Sequence, residues 1–328
     1  MFRAFFSAKT RPVSPKASVA PTAQATSEAW QLGAELPDLT TENPPVSVLL
    51  PGDQRAARLG QGMDFELLRA YQPGEPASLI DWRISARTTE PMVRIFREPA
   101  QRQCHIVLDT SESMFFGTRY QLKITQALTL AHLLTAAALH QNLAVGLHTP
   151  GLSDQSPRHP STSRARLLNT LHELAAWLDQ PAALHAIDWA GFRQRLAHSL
   201  PAGQLIIVLG DFQADFAADP HLQGWLPLAE RHQLWFFTLF DPAEAELPDL
   251  GTVTFAASPP SHPVRLDTHQ SALRAELAAR FAQRLDAVRD LAMVVGGRVS
   301  AVSTPTSVQA LFTQCATQLR YGGTEPSP

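Results

Sequence analysis

The 328-residue chain has little charge, almost no cysteine and no long apolar run. Only 17% of its residues are charged, and 27 Lys and Arg against 30 Asp and Glu give a formal net charge of −3. So little excess positive charge argues against nucleic acid or an anionic membrane surface as the binding partner. Cys104 and Cys315 cannot build a disulfide framework and belong to no Cys-x-x-Cys or Cys/His metal spacing. Reduced, structural thiols are expected. The longest nearly uncharged stretch, 127–139, carries His132 and Thr135 and falls short of the roughly 20 residues that a membrane span needs. Residues 1–11 set Arg3, Lys9 and Arg11 around a few aromatics, without the apolar core and small-residue cleavage site of a secretion signal. No membrane span is expected, and the expected location is the cytoplasm. The histidines show no His-Glu-x-x-His or paired-ligand spacing, and no P-loop or Gly-x-Ser-x-Gly elbow occurs.

With 45% hydrophobic residues the chain can bury a sizeable core, and its length suits about two domains. Residues 1–45 read as a flexible arm, because from residue 14 they are rich in Pro, Ala, Ser and Thr and cannot offset their ordering entropy by burial. Residues 46–100 alternate short apolar runs with turn chemistry at Pro51-Gly52-Asp53 and Pro73-Gly74, the pattern of a small β-rich module. From 101 to 320, compact apolar runs (HIVLD, LAVGLH, QLIIVLGD, LWFFTLFD, GRVSAVS) alternate with helical stretches at 120–140, 163–178, 189–200, 221–232, 270–291 and 306–320. Buried parallel strands read as continuous apolar runs, so a doubly wound, mainly parallel α/β sheet is expected. A loop or hairpin is expected at 251–268, and a disordered tail at 321–328.

In open α/β sheets ligands bind beyond the carboxyl ends of the strands. Three runs end there in acids: Asp109, Asp211 and Asp241. The first opens Asp109-Thr110-Ser111-Glu112-Ser113, an Asp-x-Ser-x-Ser ahead of a long apolar helix. One carboxylate and two hydroxyls form an all-oxygen set suited to a hard cation such as Mg2+, with Mn2+ or Ca2+ as alternatives. Asp211 supplies a second carboxylate. The simpler alternative is that these side chains cap the turn in which they lie.

Such a site resembles the metal-ion-dependent adhesion site of von Willebrand factor A domains, in which two serines and a threonine bind the ion and acidic residues help directly or through water. The resemblance implies a loop threonine, for which Thr162 is the candidate and Thr149 the alternative. It also implies an open coordination position that a partner's acidic side chain occupies. A wider pattern resembles the family called domain of unknown function 58. It runs Gly62-Met63-Asp64-Phe65-Glu66-Leu67-Leu68-Arg69-Ala70-Tyr71-Gln72-Pro73-Gly74-Glu75, then Ile80-Asp81-Trp82-Arg83-Ile84-Ser85-Ala86-Arg87, then Val93-Arg94-Ile95-Phe96-Arg97-Glu98, with Asp211-Phe212 and Asp241-Pro242-Ala243-Glu244 downstream. Pro76, Ser78-Leu79 and Gly210 depart from it. The resemblance implies a von Willebrand factor A-like protein working with a MoxR-type AAA+ ATPase in assembly or maturation of protein complexes, with an unidentified protein client. Within the signature, Arg69, Tyr71, Glu75, Asp81, Trp82 and Arg87 form either a partner-facing or domain-coupling surface, or an internal set of ion pairs with Trp82 as core.

An enzyme reading must use the same residues. Asp109-Thr110-Ser111 superficially resembles the Asp-Thr-Gly of aspartic proteases, but their dyad needs two such carboxylates and the only near second copy, Asp267-Thr268-His269, lacks the glycine. A phosphotransferase of the haloacid dehalogenase type wants a second Asp at position 111. The expectation is therefore a non-enzymatic, metal-dependent adaptor. A metal-dependent hydrolase or phosphoryl-transfer enzyme using Asp109 is the alternative, and a scaffold with an unused metal site is the third reading.

Overall fold

The structure, a computed structural model, describes residues 19–40, 64–72, 80–88, 90–97, 102–118, 120–150, 159–179, 187–255 and 264–321. The chain divides into two units, one of residues 48–101 and the other of residues 1–47 with 102–328.

In the smaller unit β1 (Asp64–Ala70) pairs antiparallel with β2 (Met92–Arg97), with a register shift between Phe65 and Leu67. Between them lies the single-turn helix α2 (Trp82–Ser85). The expected β-rich module is thus a hairpin as far as the described residues go. The Pro51-Gly52-Asp53 and Pro73-Gly74 turns and Glu75 lie outside them.

The larger unit opens with α1 (Ala23–Gly33), which falls within the stretch read from composition as an arm. The central sheet follows: β3 (Gln103–Leu108), α3 (Lys123–His140), β4 (Ala144–His148), α4 (Arg164–Leu178), α5 (Trp189–Ser199) and β5 (Leu205–Gly210). Next come α6 (Gln213–Ala218), α7 (Leu226–Ala229), β6 (Gln233–Phe240) and α8 (Pro242–Ala245). A hairpin of β7 (Thr252–Phe255) and β8 (Val264–Asp267), then α9 (Ser271–Val294), β9 (Arg298–Ser303) and α10 (Val308–Tyr321), complete it. The five-stranded sheet has the order β4-β3-β5-β6-β9 and every pairing is parallel. All five apolar runs form its strands, as expected of strands covered on both faces. The helix expected at 221–232 is shorter, a 3-10 turn at Gln223–Trp225 followed by α7.

Alternate residues feed two cores. Cys104, Ile106, Leu108, Ile207, Leu209, Trp235 and Phe237 face one core, and Val107, Ile206, Val208, Leu234 and Phe236 face the other. Every residue of α3 from 123 to 138 is buried, so this helix needs cover on its outer side as well as on its sheet side. Helix α1 provides it. Its Trp30 indole donates to His132 Nδ1 at 3.0 Å, Ala29 is fully buried, and beyond the helix Leu36 and Leu39 join the same core. The Gln141 side chain pins the segment by accepting from the Leu39 amide at 2.8 Å and donating to the Pro37 carbonyl at 2.9 Å. Burial and hydrogen bonding of these few apolar residues outweigh the polar composition around them.

At Gly33 the helices touch backbone to backbone, and a Cβ there would lie 2.3 Å from the Leu133 carbonyl oxygen and 2.7 Å from Ala136 Cβ. Gly33→Ala is expected to lift α1 from α3, costing about 1–3 kcal/mol of stability in urea denaturation and admitting protease within 19–40. Unchanged stability and cleavage would contradict this packing.

Candidate functional site

The chain order leaves β3 flanked by β4 on one side and β5 on the other, so the β3–β5 boundary is the switch point where the crevice of an open α/β sheet forms. Leu108 pairs with Leu209, and the Asp109 amide continues the ladder by donating to the Leu209 carbonyl at 2.8 Å. Asp109 therefore lies against Gly210, one residue before Asp211. A Cβ at 210 would stand 2.9 Å from Asp109 Cβ and 3.0 Å from its Oδ2, so glycine here makes room for the Asp109 carboxylate. Beyond Asp211 the chain turns sharply at Phe212, whose φ of 57° lies in the left-handed region that disfavours side chains. Packing holds it, with the ring centroid 6.4 Å from that of Trp225 and 5.8 Å from that of Phe236.

Asp109 is 3% exposed and its Oδ1 accepts from the Ser111 amide at 2.8 Å. Ser111 and Ser113 face each other with their hydroxyl oxygens 3.0 Å apart, at the start of the 3-10 turn Glu112–Phe115. The sequence motif thus closes into one cluster of a carboxylate and two hydroxyls. The Thr110 hydroxyl donates to the Pro150 carbonyl and draws the segment after β4 to the same end of the sheet.

Asp211 is fully buried and differs from Asp109 in having a counter-ion. Lys123, in the first turn of α3 and itself fully buried, places its Nζ 2.7 Å from Asp211 Oδ2 and 2.8 Å from Glu244 Oε1 of α8. Glu244 Oε1 also accepts from Gln213 Nε2 at 2.6 Å, while its Oε2 accepts from the Asp241 amide at 2.9 Å in a capping box. Arg284 of α9 stands 4.0 Å from Glu244 Oε1, with buried Nε and Nη2 that make no hydrogen bond. Asp241, the third strand-end acid, is fully buried and caps α8. Its carboxylate accepts from the Thr118 amide at 2.9 Å, the Thr118 hydroxyl at 2.6 Å, the Ala243 amide at 3.0 Å and the Thr304 hydroxyl at 3.1 Å.

The two strand-end aspartates consequently titrate in opposite directions. Burial, reinforced by the charge of Asp211, pushes Asp109 up to about 7 against the pull of its Ser111 hydrogen bond. For Asp211 burial alone acts upward, but the Lys123 ammonium and Arg284 hold it below the usual carboxylate range.

The structure brings Asp109, Ser111, Ser113 and Asp211, all named from the sequence, to one end of the sheet, and adds Lys123, Glu244, Gln213 and Arg284, which sequence reasoning missed. Nothing marks Lys123 in the sequence as buried. Glu244 carries a signal, since it stands three residues after a strand-end Asp and Pro. Thr162 is not brought to the site. Its neighbour Ser161 pairs antiparallel with Val145, which is level with Cys104, five residues short of Asp109 along β3, or about 16 Å at ~3.3 Å per residue. The early pairing to β4 puts Thr162 at the amino ends of the strands, where its side chain is exposed. Thr149, directly after β4 and beside Pro150, lies at the correct end. Among the described residues no three His, Cys, Asp or Glu side chains come together to hold a metal.

In the smaller unit Asp81 caps α2, accepting from the Arg83 and Ile84 amides at 3.0 Å each. Trp82 is 66% exposed, which corrects its reading as core, and Arg87 is exposed. Tyr71 is half-buried. For Arg69 only the backbone, within β1, is described, and Glu75 lies outside the described residues.

The raised Asp109 carboxyl has a stability consequence. Between about 4, its unfolded value, and about 7 the folded state binds a proton that the unfolded state has lost, so this residue's contribution falls as pH rises through that window. Asp109→Asn in chelator is expected to be more stable than wild type at pH 8 by more than about 1 kcal/mol, and by much less at pH 5. Equal urea midpoints at both pH values would show that burial and the charge of Asp211 do not raise the Asp109 carboxyl.

The chain matches the family described as protein of unknown function DUF58 over residues 67–286. Uncharacterized proteins of Mycobacterium bovis and Mycobacterium tuberculosis are each 28% identical over 255 residues, covering 74% of this chain and 75% of their own. Among solved structures, the conserved hypothetical protein BatB of Bacteroides thetaiotaomicron is 15% identical over 66% of this chain and 98% of its own, with a TM-score of 0.41. An aerotolerance-related membrane protein of Bacteroides fragilis is 16% identical over 65% of this chain and 98% of its own, with a TM-score of 0.35. No helix among the described residues is long and apolar enough to cross a membrane. The matched stretch contains β3, β5, β6 and the whole Asp109–Asp211–Glu244 cluster, and the chain belongs to the DUF58 family.

Proposed function

We propose that this protein is a non-enzymatic, von Willebrand factor A-like docking module. In this reading a divalent ion, Mg2+ or else Mn2+ or Ca2+, sits at Asp109, Ser111 and Ser113 and receives an acidic side chain of a protein partner. The carrying observation is a buried carboxylate with no cation paired to it among the described residues, beside two hydroxyl oxygens 3.0 Å apart. Adjacent ligands of an octahedral Mg2+ at about 2.0–2.1 Å stand about 2.9–3.0 Å from one another, so the two serines already have the required separation. Formal charge supports the same reading. Among the described residues the carboxylates of Asp211, Asp241 and Glu244 face two cations, Lys123 and Arg284; ionisation of Asp109 would add one more negative charge, and a divalent ion would then supply the missing two positive charges. Asp211, already engaged by Lys123, would act through water, and Thr149 is the better placed loop hydroxyl.

When bound, the ion would act as a Lewis acid that a carboxylate oxygen can enter. Binding of the ion would displace the Asp109 proton to solvent, the Ser111 amide would orient Asp109, and the DUF58 resemblance points to a MoxR-type AAA+ ATPase or its client as the source of the acid. The scaffold reading keeps one observation in its favour: Lys123 already neutralises part of the cluster.

The expected outcome is a rise of a few degrees in melting temperature of the wild type across a millimolar Mg2+ series, because an ion that binds only the folded state stabilises it. Asp109→Ala and Ser111→Ala should show no rise. In affinity capture the ATPase or client should be retained with Mg2+ and lost with chelator. Partner retention after chelation and in Ser111→Ala would leave the scaffold reading standing instead.

A further inference from the structure

We propose that Lys123 is a tethered internal cation that competes with the divalent ion for Asp211 and so sets the affinity of the ion site. This inference rests on the docking reading above. Asp211 has two oxygens, and both are engaged: Oδ1 accepts from the Gln213 amide at 3.1 Å and Oδ2 from Lys123 Nζ at 2.7 Å. An ion drawn to Asp109, Ser111 and Ser113 that uses Asp211, directly or through a water, must share that carboxylate with a buried ammonium. Two positive charges on one carboxylate, away from bulk water, repel strongly.

Lys123 has a second anchor to retreat to. Its Nζ is 2.8 Å from Glu244 Oε1 and lies over the Phe116 ring at 5.7 Å, so a small rotation onto Glu244 alone keeps the ammonium paired while freeing Asp211. Glu244 in turn closes the α8 capping box through the Asp241 amide. Ion occupancy is thereby linked to the corner between β6 and α8, through a side chain that itself need not touch the ion. Arg284, 4.0 Å from Glu244 Oε1 with unpartnered buried nitrogens, is placed to compensate Glu244 when Lys123 is removed. Lys123→Gln therefore leaves a cation within reach of Glu244 and a donor at position 123.

The test is titration calorimetry with Mn2+ as the probe, on wild type, Lys123→Gln and Asp109→Ala, each first shown to melt cooperatively. Lys123→Gln is expected to bind Mn2+ at least about tenfold more tightly than wild type, and Asp109→Ala not to bind. Equal or weaker binding by a folded Lys123→Gln overturns the competition while leaving the docking site intact. Absence of Mn2+ binding in all three overturns the docking reading itself. A second measurement needs no variant at position 123: the buried Lys123 ammonium is followed by 15N nuclear magnetic resonance during Mg2+ titration of the wild type. Its signal should move in step with Mg2+ saturation, and a fixed signal at saturating Mg2+ would equally overturn the proposal.

Discussion

The ion pair of Lys123 with Asp211 and Glu244 is the constraint on which the switch-point end of the sheet depends. It joins the first turn of α3, the end of β5 and the corner after β6, three segments far apart in sequence. Removing one member of a buried pair strands the others in a low dielectric, a cost on the order of 3–5 kcal/mol. The same pair creates the asymmetry of the site. Asp211 is held ionised, while Asp109, one strand away, is driven toward its neutral form by burial and by the charge of Asp211.

That asymmetry requires the two strand ends to be close. Gly210 lets Asp109 rest against β5, and the left-handed Phe212 ends β5 abruptly, so that Asp211 points back to α3 rather than continuing the strand. Its aromatic neighbours Trp225 and Phe236 keep this turn in place, and the core formed against α5, α7 and α9 thus supports the chemistry. On the opposite face, α1 seals the outer side of α3 at His132, Leu133 and Ala136.

Much of this was legible in the sequence. The continuous apolar runs gave the strands, because a run such as QLIIVL between helices has no other economical way to bury both faces. The strand-end acids followed from the carboxyl-end rule, and Asp-x-Ser-x-Ser placed three of the site's oxygens. Long-range contacts were not legible. Helix α1 lies in a stretch whose composition reads as unstructured, and its signal is indirect: α3 is apolar on every face and so demands a second cover. Lys123 reads as an ordinary helix-start lysine, since only the folded chain shows that the nearest anions are at 211 and 244. Thr162 failed for a geometric reason, because an early antiparallel pairing of Ser161 with Val145 carries it to the wrong end of β4.

The most direct measurement is a high-resolution crystal structure grown with Mn2+, with anomalous scattering recorded to locate the metal. The account predicts an anomalous peak bound by the Ser111 and Ser113 hydroxyls and beside the Asp109 carboxylate, with Lys123 Nζ drawn toward Glu244. Ordered water in that place, with no anomalous signal and Lys123 still bridging Asp211 and Glu244, would contradict it.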